Sequence, residues 1–210
     1  MQSTKSMKTV LVIVGMPGAG KSLASSVMKA RGIPVFVSGD IIRAEARKRK
    51  LKFTRKNLGE LMLQIRKEEG MGAVARRLVP LVESARGELV VYEGARSVEE
   101  VDELRRKYRV VTIAINASRQ ARFQRLQRRR RSDRPRGWAD FSERDNRELG
   151  VGIAKLIALA DRTVENEDSK DDLKRRTRRL LQVFLNPKKS SLSRRLRSSR
   201  LRILRKSRKP

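Results

Sequence analysis

The chain has 210 residues, enough for one domain of ordinary size, and carries 53 Lys and Arg against 23 Asp and Glu. It contains no cysteine and no histidine, which excludes disulfides, thiolate and imidazole metal sites, and a cysteine nucleophile. Any general base must therefore be a carboxylate or a lysine. The longest uncharged run, residues 9–20, is shorter than the roughly 18 apolar residues of a membrane span. We therefore expect a soluble, cytoplasmic protein that does not bind membranes.

The positive charge extends over the whole chain. Sixteen Lys or Arg and no acidic residue follow Asp172, which leaves +14 of the net +30 to the first 172 residues. The body of the protein, residues 1–185, therefore favours anionic substrates. Residues 186–210 form a basic segment of low complexity, which predicts either a flexible tail or a segment that binds nucleic acid or another polyanion.

Five short apolar runs predict β-strands, because they are rich in β-branched residues and are bounded by turn or polar residues. They are residues 9–14, 34–37, 89–92, 110–115 and 163–165. Apolar residues at consecutive positions, as in VLVIV and VVTIAI, are typical of strands that are covered on both faces of a parallel sheet. Helical patterns lie between the strands, so the sequence predicts an α/β fold with a five-stranded parallel sheet in a three-layer sandwich.

The spacing of apolar residues predicts which faces of the helices are buried. Ser97 and Glu100 form the pattern of a capping box at the start of one helix, and residues 171–185 predict the last helix. The positions expected to face the core are Leu58, Leu61, Met62, Ile65, Val74, Leu78, Leu81, Val82, Val101, Leu104, Leu149, Ile153, Leu156, Ala160, Leu173, Leu180, Leu181 and Phe184.

The first predicted strand leads into GMPGAGKS, which matches the phosphate-binding pattern G-x-x-x-x-G-K-[ST]. The glycines let backbone N–H groups turn toward phosphate oxygens, and the following helix offers them its positive N-terminus. Lys21 can reach the β- and γ-phosphates, and the hydroxyl of Ser22 can bind Mg²⁺. The sequence thus predicts a site for ATP and Mg²⁺ formed by Gly15, Met16, Pro17, Gly18, Ala19, Gly20, Lys21 and Ser22.

Two polar segments follow the second and third predicted strands, at the edge where open α/β sheets bind ligands. The first brings Asp40, with Arg43 one turn further on, and the second brings Glu93 and Arg96. The two arginines could bind the phosphate of an acceptor, and Glu93 could hold a water bound to Mg²⁺. The alternative is that Asp40 caps its helix, Arg43 lies on a solvated face and Glu93 makes a structural pair.

These segments resemble those of known kinases. SGDIIRAE is similar to the T-G-D-x-x-R segment of adenylate kinases, and EGARS to their D-G-F-P-R segment. The resemblance covers roughly residues 9–167 and implies that Arg43 and Arg96 contact an acceptor monophosphate. With NLGELMLQIRKEEGMGAVARRLVP and SERDNRELGVGIAKLIALAD, the chain resembles still more closely an archaeal family of P-loop kinase-like proteins. That family has no assigned activity and is related to adenylate kinase and dephospho-CoA kinase.

Dephospho-CoA kinases suggest a different acceptor. In those enzymes an Asp after the second strand acts as a base on a ribose hydroxyl, and Asp40 could match it. A hydroxyl needs such a base, whereas a monophosphate is already ionised and needs cations. Arg96 supplies a cation where dephospho-CoA kinases have no comparable arginine, so the sequence favours an acceptor like a nucleoside monophosphate.

The arginine-rich interval at about residues 119–147 is too polar for a core and resembles the lid of nucleotide kinases, whose arginines stabilise the transferring phosphoryl group. Trp138 and Phe141 are expected to pack within the lid, and Asn166 to lie on the adenine side. We expect a nucleotide-binding role for Arg125 and catalytic roles for Arg129, Arg131 and Arg144. Further lid candidates are Arg122 and Arg147.

The sequence therefore predicts a phosphotransferase that moves the γ-phosphoryl group of ATP, with Mg²⁺, to a small phosphorylated acceptor. A hypothesis of a different class is an ATP-dependent protein that associates with nucleic acid, in which weak hydrolysis gates contact through residues 186–210.

Overall fold

The computed structural model describes residues 7–128 and 134–186. Its strands are β1 (Thr9–Val14), β2 (Val35–Val37), β3 (Leu89–Glu93), β4 (Arg109–Asn116) and β5 (Arg162–Glu165). Its helices are α1 (Lys21–Lys29), α2 (Ser38–Lys48), α3 (Arg55–Glu69), α4 (Ala73–Ser84), α5 (Val98–Arg105), α6 (Arg119–Gln127), α7 (Trp138–Gly150), α8 (Ile153–Ala158) and α9 (Lys170–Leu185). Every predicted strand is present, with each end within one residue of its expected place.

The strands form one parallel sheet in the order β2-β3-β1-β4-β5. β1 lies in the centre, with Val12 opposite Tyr92 of β3 and Thr112 of β4. The chain adds β2 and β3 on one side of β1 and then β4 and β5 on the other. The change of direction leaves a crevice at the carboxyl end of β1, where sheets of this kind bind ligands.

The side chains of β1 point alternately into two cores. Val10, Val12 and Val14 pack in the cluster that also takes in α3, α4 and α5, whereas Leu11 and Ile13 pack against α1 and α9. The sheet is therefore covered on both faces, which confirms the predicted three-layer sandwich. Within residues 7–128 and 134–186, no helix is both long enough and apolar enough to cross a membrane.

Two of the expected core positions are wrong. Leu81 is 41% exposed because it lies at the margin of the buried face of α4, near the end of that helix. Leu149 is 45% exposed. The pattern from 149 to 160 predicted one continuous face, but α7 ends at Gly150 and α8 begins at Ile153. Between them Gly152 has φ of 104°, and this turn breaks the helical period. Leu149 therefore lies on the exposed side of α7, whereas Ile153 and Leu156 of α8 are buried. The other expected positions are buried or partly buried.

A buried carboxylate, Glu100, joins three elements on one side of the sheet. The N–H of Glu100 donates to Ser97 Oγ at 3.4 Å, as expected for a helix cap. Its carboxylate, however, accepts from Arg66 Nη2 at 2.6 Å, from the Tyr92 hydroxyl at 2.7 Å and from the Arg96 N–H at 3.2 Å. Burial and Glu100 together raise the pKa of Tyr92 well above its ordinary value. Glu100 therefore ties α3 and β3 to the loop that carries Arg96.

We expect Glu100→Ala to lower the free energy of unfolding by about 3–5 kcal/mol, because it leaves the buried guanidinium of Arg66 without its counter-ion. Asp102→Ala on the same helix is the matched control, since Asp102 and Arg105 form an exposed pair and the loss should be about 0.5 kcal/mol or less. Urea denaturation of the two variants measures both values. Equal losses would contradict the role of Glu100 as the buried counter-ion of Arg66.

Candidate active site

The loop between β1 and α1 contains backbone N–H groups that have no hydrogen-bond acceptor among the described residues. The N–H of Ala19 donates to Met16 O at 3.1 Å, and those of Leu23 and Ala24 donate to Gly20 O. Four neighbouring N–H groups have no acceptor within the described part of the chain; they belong to Gly18, Gly20, Lys21 and Ser22. Grouped at the start of a helix, such donors form a site for an anion.

The back of this loop is packed against the rest of the protein. Gly18 has φ of 84°, and a Cβ there would lie 2.8 Å from the carbonyl oxygen of Arg122 on α6. Gly20 has φ of 109°, and a Cβ there would collide with the side-chain amide of Asn166. Both glycines are therefore needed by the fold as well as by the approach of a phosphate.

Asn166 braces the same loop. Its Nδ2 donates to Ala19 O at 2.7 Å, and the residue is only 6% exposed. The position directly after β5 thus holds the loop in place. That Asn166 also lies beside an adenine stays a prediction.

The ammonium of Lys21 folds back over the loop and donates to Gly15 O at 2.6 Å and to Met16 O at 3.2 Å. Burial and the positive charge of Arg96 lower the pKa of Lys21 to about 8, although the charge of Glu148 opposes this shift. The ammonium of Lys21 thus lies at the start of α1 with two carbonyl partners, next to cations that disfavour its charge.

Ser22 and Glu93 supply the oxygen atoms that Mg²⁺ prefers. Ser22 Oγ donates to Glu93 Oε1 at 2.8 Å, and Glu93 ends β3 with 6% of its surface exposed. Within the described residues no group of three or more Asp or Glu could hold a metal by itself. This fits a magnesium ion held partly by substrate phosphates, with Ser22 as a direct ligand and Glu93 bound through water. The assignment stays a prediction.

A cavity of about 70 Å³ opens beside Lys21. The loop after β1, the loop after β3 and helix α7 form its walls. Its charged lining residues are Lys21, Arg96, Arg144 and Glu148. The first three were candidates from the sequence, whereas Glu148 was missed. Its only signal was its place four residues after Arg144, and that spacing does not reveal which face of α7 turns toward the site.

Arg96, the predicted acceptor-binding arginine, is fully engaged within the protein. Its Nε donates to Glu148 Oε2 at 2.6 Å, and its Nη1 donates to Ser38 Oγ at 3.0 Å and to Gly94 O at 3.1 Å. These bonds hold its guanidinium against α2 and α7. An acceptor phosphate at Arg96 would have to replace at least one of these partners.

Arg43 and Asp40 do not join this cavity. They form an ion pair with each other on α2, and their side chains are 46% and 66% exposed. Neither lines the cavity beside Lys21. The expected convergence of Arg43 and Arg96 on one phosphate is therefore absent from this arrangement, and Arg43 lies on the surface, as in the alternative interpretation.

Arg122, a candidate for the lid from the sequence, is instead buried against α7. It is 3% exposed, and its two Nη atoms donate to the carboxylate of Asp145 at 2.8 and 2.6 Å. Its Nη1 also donates to Pro17 O at 3.2 Å. The interval was judged too polar for a core, but a bidentate carboxylate partner allows a guanidinium to be buried. Arg122 thus clamps α6 and α7 to the phosphate loop.

The aromatic residues of this interval pack as expected. Trp138 and Phe141 each lie against Phe123, with ring centroids 5.1 and 5.4 Å apart, and Phe141 is fully buried. Together the three rings hold α6 against α7.

The other arginines of the interval have separate positions. One nitrogen of Arg125, Nη1, is shielded from solvent and has no hydrogen-bond partner within the described residues. Arg125 lines neither of the two cavities beside α7, and its nucleotide-binding role stays a prediction. Arg144 lines the cavity beside Lys21, whereas Arg147 lines a different cavity of about 400 Å³ between α3 and α7. Arg129 and Arg131 lie outside the described residues.

A parallel sheet with a phosphate loop after its central strand and a cationic cavity beside it defines a P-loop protein of the kinase-like class. A family model described as an AAA domain matches residues 14–140, so the chain belongs to that domain family. The chain also belongs to the UPF0200 family, which confirms the resemblance to archaeal P-loop kinase-like proteins.

Two relatives illustrate the match. The UPF0200 protein of Hyperthermus butylicus is 40% identical over 174 residues, which cover 83% of this chain and 94% of the relative. That of Pyrococcus furiosus is 42% identical over 184 residues, which cover 85% of this chain and 99% of the relative.

Solved structures share the fold at low sequence identity. The crystal structure of TT1252 from Thermus thermophilus has a TM-score of 0.61 at 20% identity and covers 84% of this chain and 97% of its own. Shikimate kinase from Bacteroides thetaiotaomicron has a TM-score of 0.57 at 16% identity and covers 86% and 99%. At these identities the likeness concerns the fold alone.

The lowered pKa of Lys21 makes ATP affinity depend on pH. The triphosphate binds the protonated amine, so we expect the Kd for ATP to change little below about pH 8 and to rise above it by up to about tenfold per pH unit. Isothermal titration calorimetry between about pH 7 and about pH 9.5 measures this dependence.

Two variants control that measurement. Lys29→Met removes an exposed lysine from the same helix and should leave the pH profile unchanged. Lys21→Arg keeps its charge throughout this range, so any binding that it retains should be flat with pH. If the Kd for ATP of the wild-type chain does not change with pH, ATP affinity does not depend on protonation of Lys21.

Proposed function

We propose that the protein is an ATP-dependent phosphotransferase that moves the γ-phosphoryl group of ATP to a small acceptor in the cavity beside Lys21. The observation that carries this proposal is the set of four N–H groups at the start of α1, beside the ammonium of Lys21, that have no acceptor within residues 7–128 and 134–186. Donors of this kind, together with a lysine, bind the β- and γ-phosphates of a nucleotide. The shared fold with proteins named as kinases supports the proposal.

The residues around the phosphate loop have different roles in the transfer. Lys21 exchanges its carbonyl partners for phosphate oxygens, and Arg144 faces the same cavity from α7. Fixed cations of this kind stabilise charge on the transferring group, because they need no rearrangement when the charge develops. Magnesium, held by Ser22 and by Glu93 through water, would neutralise phosphate charge.

The transfer itself is a displacement at phosphorus. An oxygen of the acceptor forms a bond to the γ-phosphorus while the bond to the oxygen that bridges the β- and γ-phosphates breaks. ADP leaves with that electron pair. When the acceptor is a hydroxyl, its proton passes to a base or to water, whereas an ionised monophosphate has no proton to lose.

The charged residues near the site are compatible with two classes of acceptor, a monophosphate and a hydroxyl. Arg96 at the strand end favours a nucleoside monophosphate, but its guanidinium is held by Glu148. A hydroxyl acceptor, as in the dephospho-CoA kinase alternative, needs a carboxylate near the reacting oxygen. Asp40 is exposed and paired with Arg43, whereas Glu148 lines the cavity. The acceptor assay therefore has to include both classes.

We expect ADP release that depends on an acceptor when the chain is given MgATP and a panel of nucleoside monophosphates, dephospho-CoA and small hydroxyl compounds. Lys21→Met removes the ammonium from the phosphate loop and should lower kcat by about 10²-fold or more, because a charge at the transferring group is lost. A coupled assay of ADP measures both effects.

Lys29→Met, an exposed change on the same helix, is the matched control and should keep full activity. Sound ATP binding without acceptor-dependent release by any compound of the panel would count against a phosphotransferase. Unchanged ADP release by Lys21→Met would show that the phosphate loop takes no part in the reaction.

A second candidate function, binding of nucleic acid, rests on the basic end of the described chain. Helix α9 presents the exposed side chains of Arg175, Arg178 and Arg179. It leads into residues 187–210, which contain eleven further Lys and Arg. Such a run would contact phosphates and release bound counter-ions, so the affinity would fall steeply with salt.

We expect a chain that ends at Asn186 to lose most of its affinity for RNA or DNA and to keep its phosphotransferase activity and its ATP affinity. Fluorescence anisotropy with a labelled oligonucleotide at several salt concentrations measures the loss. The slope of log K against log salt should become shallower in the shortened chain, because fewer phosphates are neutralised. Equal affinity and slope in both chains would exclude residues 187–210 as the contact.

A further inference from the structure

A single carboxylate stands among the cations of the cavity. Of the described residues that line it, only Glu148 is acidic, and its neighbours Lys21, Arg96 and Arg144 are all basic. Glu148 is 8% exposed and lies 2.6 Å from Arg96 Nε. In the protein's own arrangement, therefore, one anion already occupies the cationic wall that faces the phosphate loop.

This carboxylate carries a negative charge. Burial alone would raise the pKa of Glu148, but the charge and hydrogen bond of Arg96, together with the charges of Lys21 and Arg144, hold that pKa below its ordinary value. A phosphate placed against the same cations would meet a fixed like charge.

Helix α7 holds Glu148 in place. Three residues before it, Asp145 forms the buried bidentate pair with Arg122 of α6. Glu148 itself is bound to Arg96, which is fastened in turn by Ser38 and Gly94. The carboxylate is thus anchored from both sides and forms part of the wall of the cavity.

We infer that Glu148 is a specificity-determining residue of the acceptor site: its carboxylate excludes acceptors with an anionic reacting end and selects those that present an uncharged hydroxyl. This inference rests on the proposed function and narrows its acceptor class. A hydroxyl can donate a hydrogen bond to the carboxylate, whereas an ionised monophosphate has only acceptors to offer.

The test measures binding of anions to the acceptor side. The full chain is first loaded with Mg²⁺ and a non-hydrolysable ATP analogue, so that the phosphate loop is occupied. Orthophosphate and AMP are then titrated by calorimetry into the wild-type chain and into Glu148→Gln. We expect weak binding of both probes to the wild type and at least about tenfold tighter binding to Glu148→Gln, because one fixed like charge is removed.

Glu143→Gln is the matched control, since Glu143 lies on the same helix but lines the other cavity. It should bind both probes as weakly as the wild type does. Glu148→Asp, which keeps the charge, should also bind both probes weakly. If Glu148→Gln does not fold, Glu148→Ala takes its place, because it also removes the charge and should bind both probes more tightly than the wild type. Affinity for the ATP analogue, measured for every variant, reports whether each one is folded.

The outcomes distinguish failure of this inference from failure of the proposed function. If the analogue binds and AMP binds the wild type as tightly as Glu148→Gln, the charge of Glu148 does not select the acceptor and the inference is overturned. If the analogue fails to bind the wild type at all, the proposed function fails, and the inference falls with it.

Discussion

The site depends on one constraint, which is that the phosphate loop is packed on its back and open on its front. Arg122 and Asn166 occupy the space behind Gly18 and Gly20, and Asn166 also binds Ala19 O. Because this side is filled, the loop has no room to turn its N–H groups inward to protein acceptors. The donors therefore stay on the open side of the loop, available to an anion.

Helix α7 extends this constraint to the other side of the cavity. Asp145 attaches the helix to Arg122 and so to the loop, while Glu148 attaches it to Arg96 after β3. Each pair is largely shielded from water, so breaking either one would leave an unpaired charge in the interior. Helix α7 therefore both supports the site and lines it. Its carboxylates, Asp145 and Glu148, are each paired with an arginine from another segment.

Local patterns were enough for the strands, the phosphate loop and most of the core, because these depend on the order of residues over short distances. The expectations that proved wrong have both local and long-range causes. Leu149 fitted a helical period that Gly152 interrupts. Arg122 belonged to a run that suggested solvent, yet Asp145, 23 residues further along, allows its burial. Glu100 fitted a capping box, but Arg66 and Tyr92 supply its main partners.

The sequence by itself determined an α/β sheet with a phosphate loop at its centre, because apolar runs and the spacing of Gly, Lys and Ser are local properties of the chain. Only the tertiary structure decided which charges meet. Arg43, Arg96 and Glu148 all carry a formal charge in the sequence, yet Arg43 lies on the surface and the other two form an ion pair beside Lys21. The energy of a charge depends on its distance from other charges and on its exposure to water, and both are set when distant segments fold together.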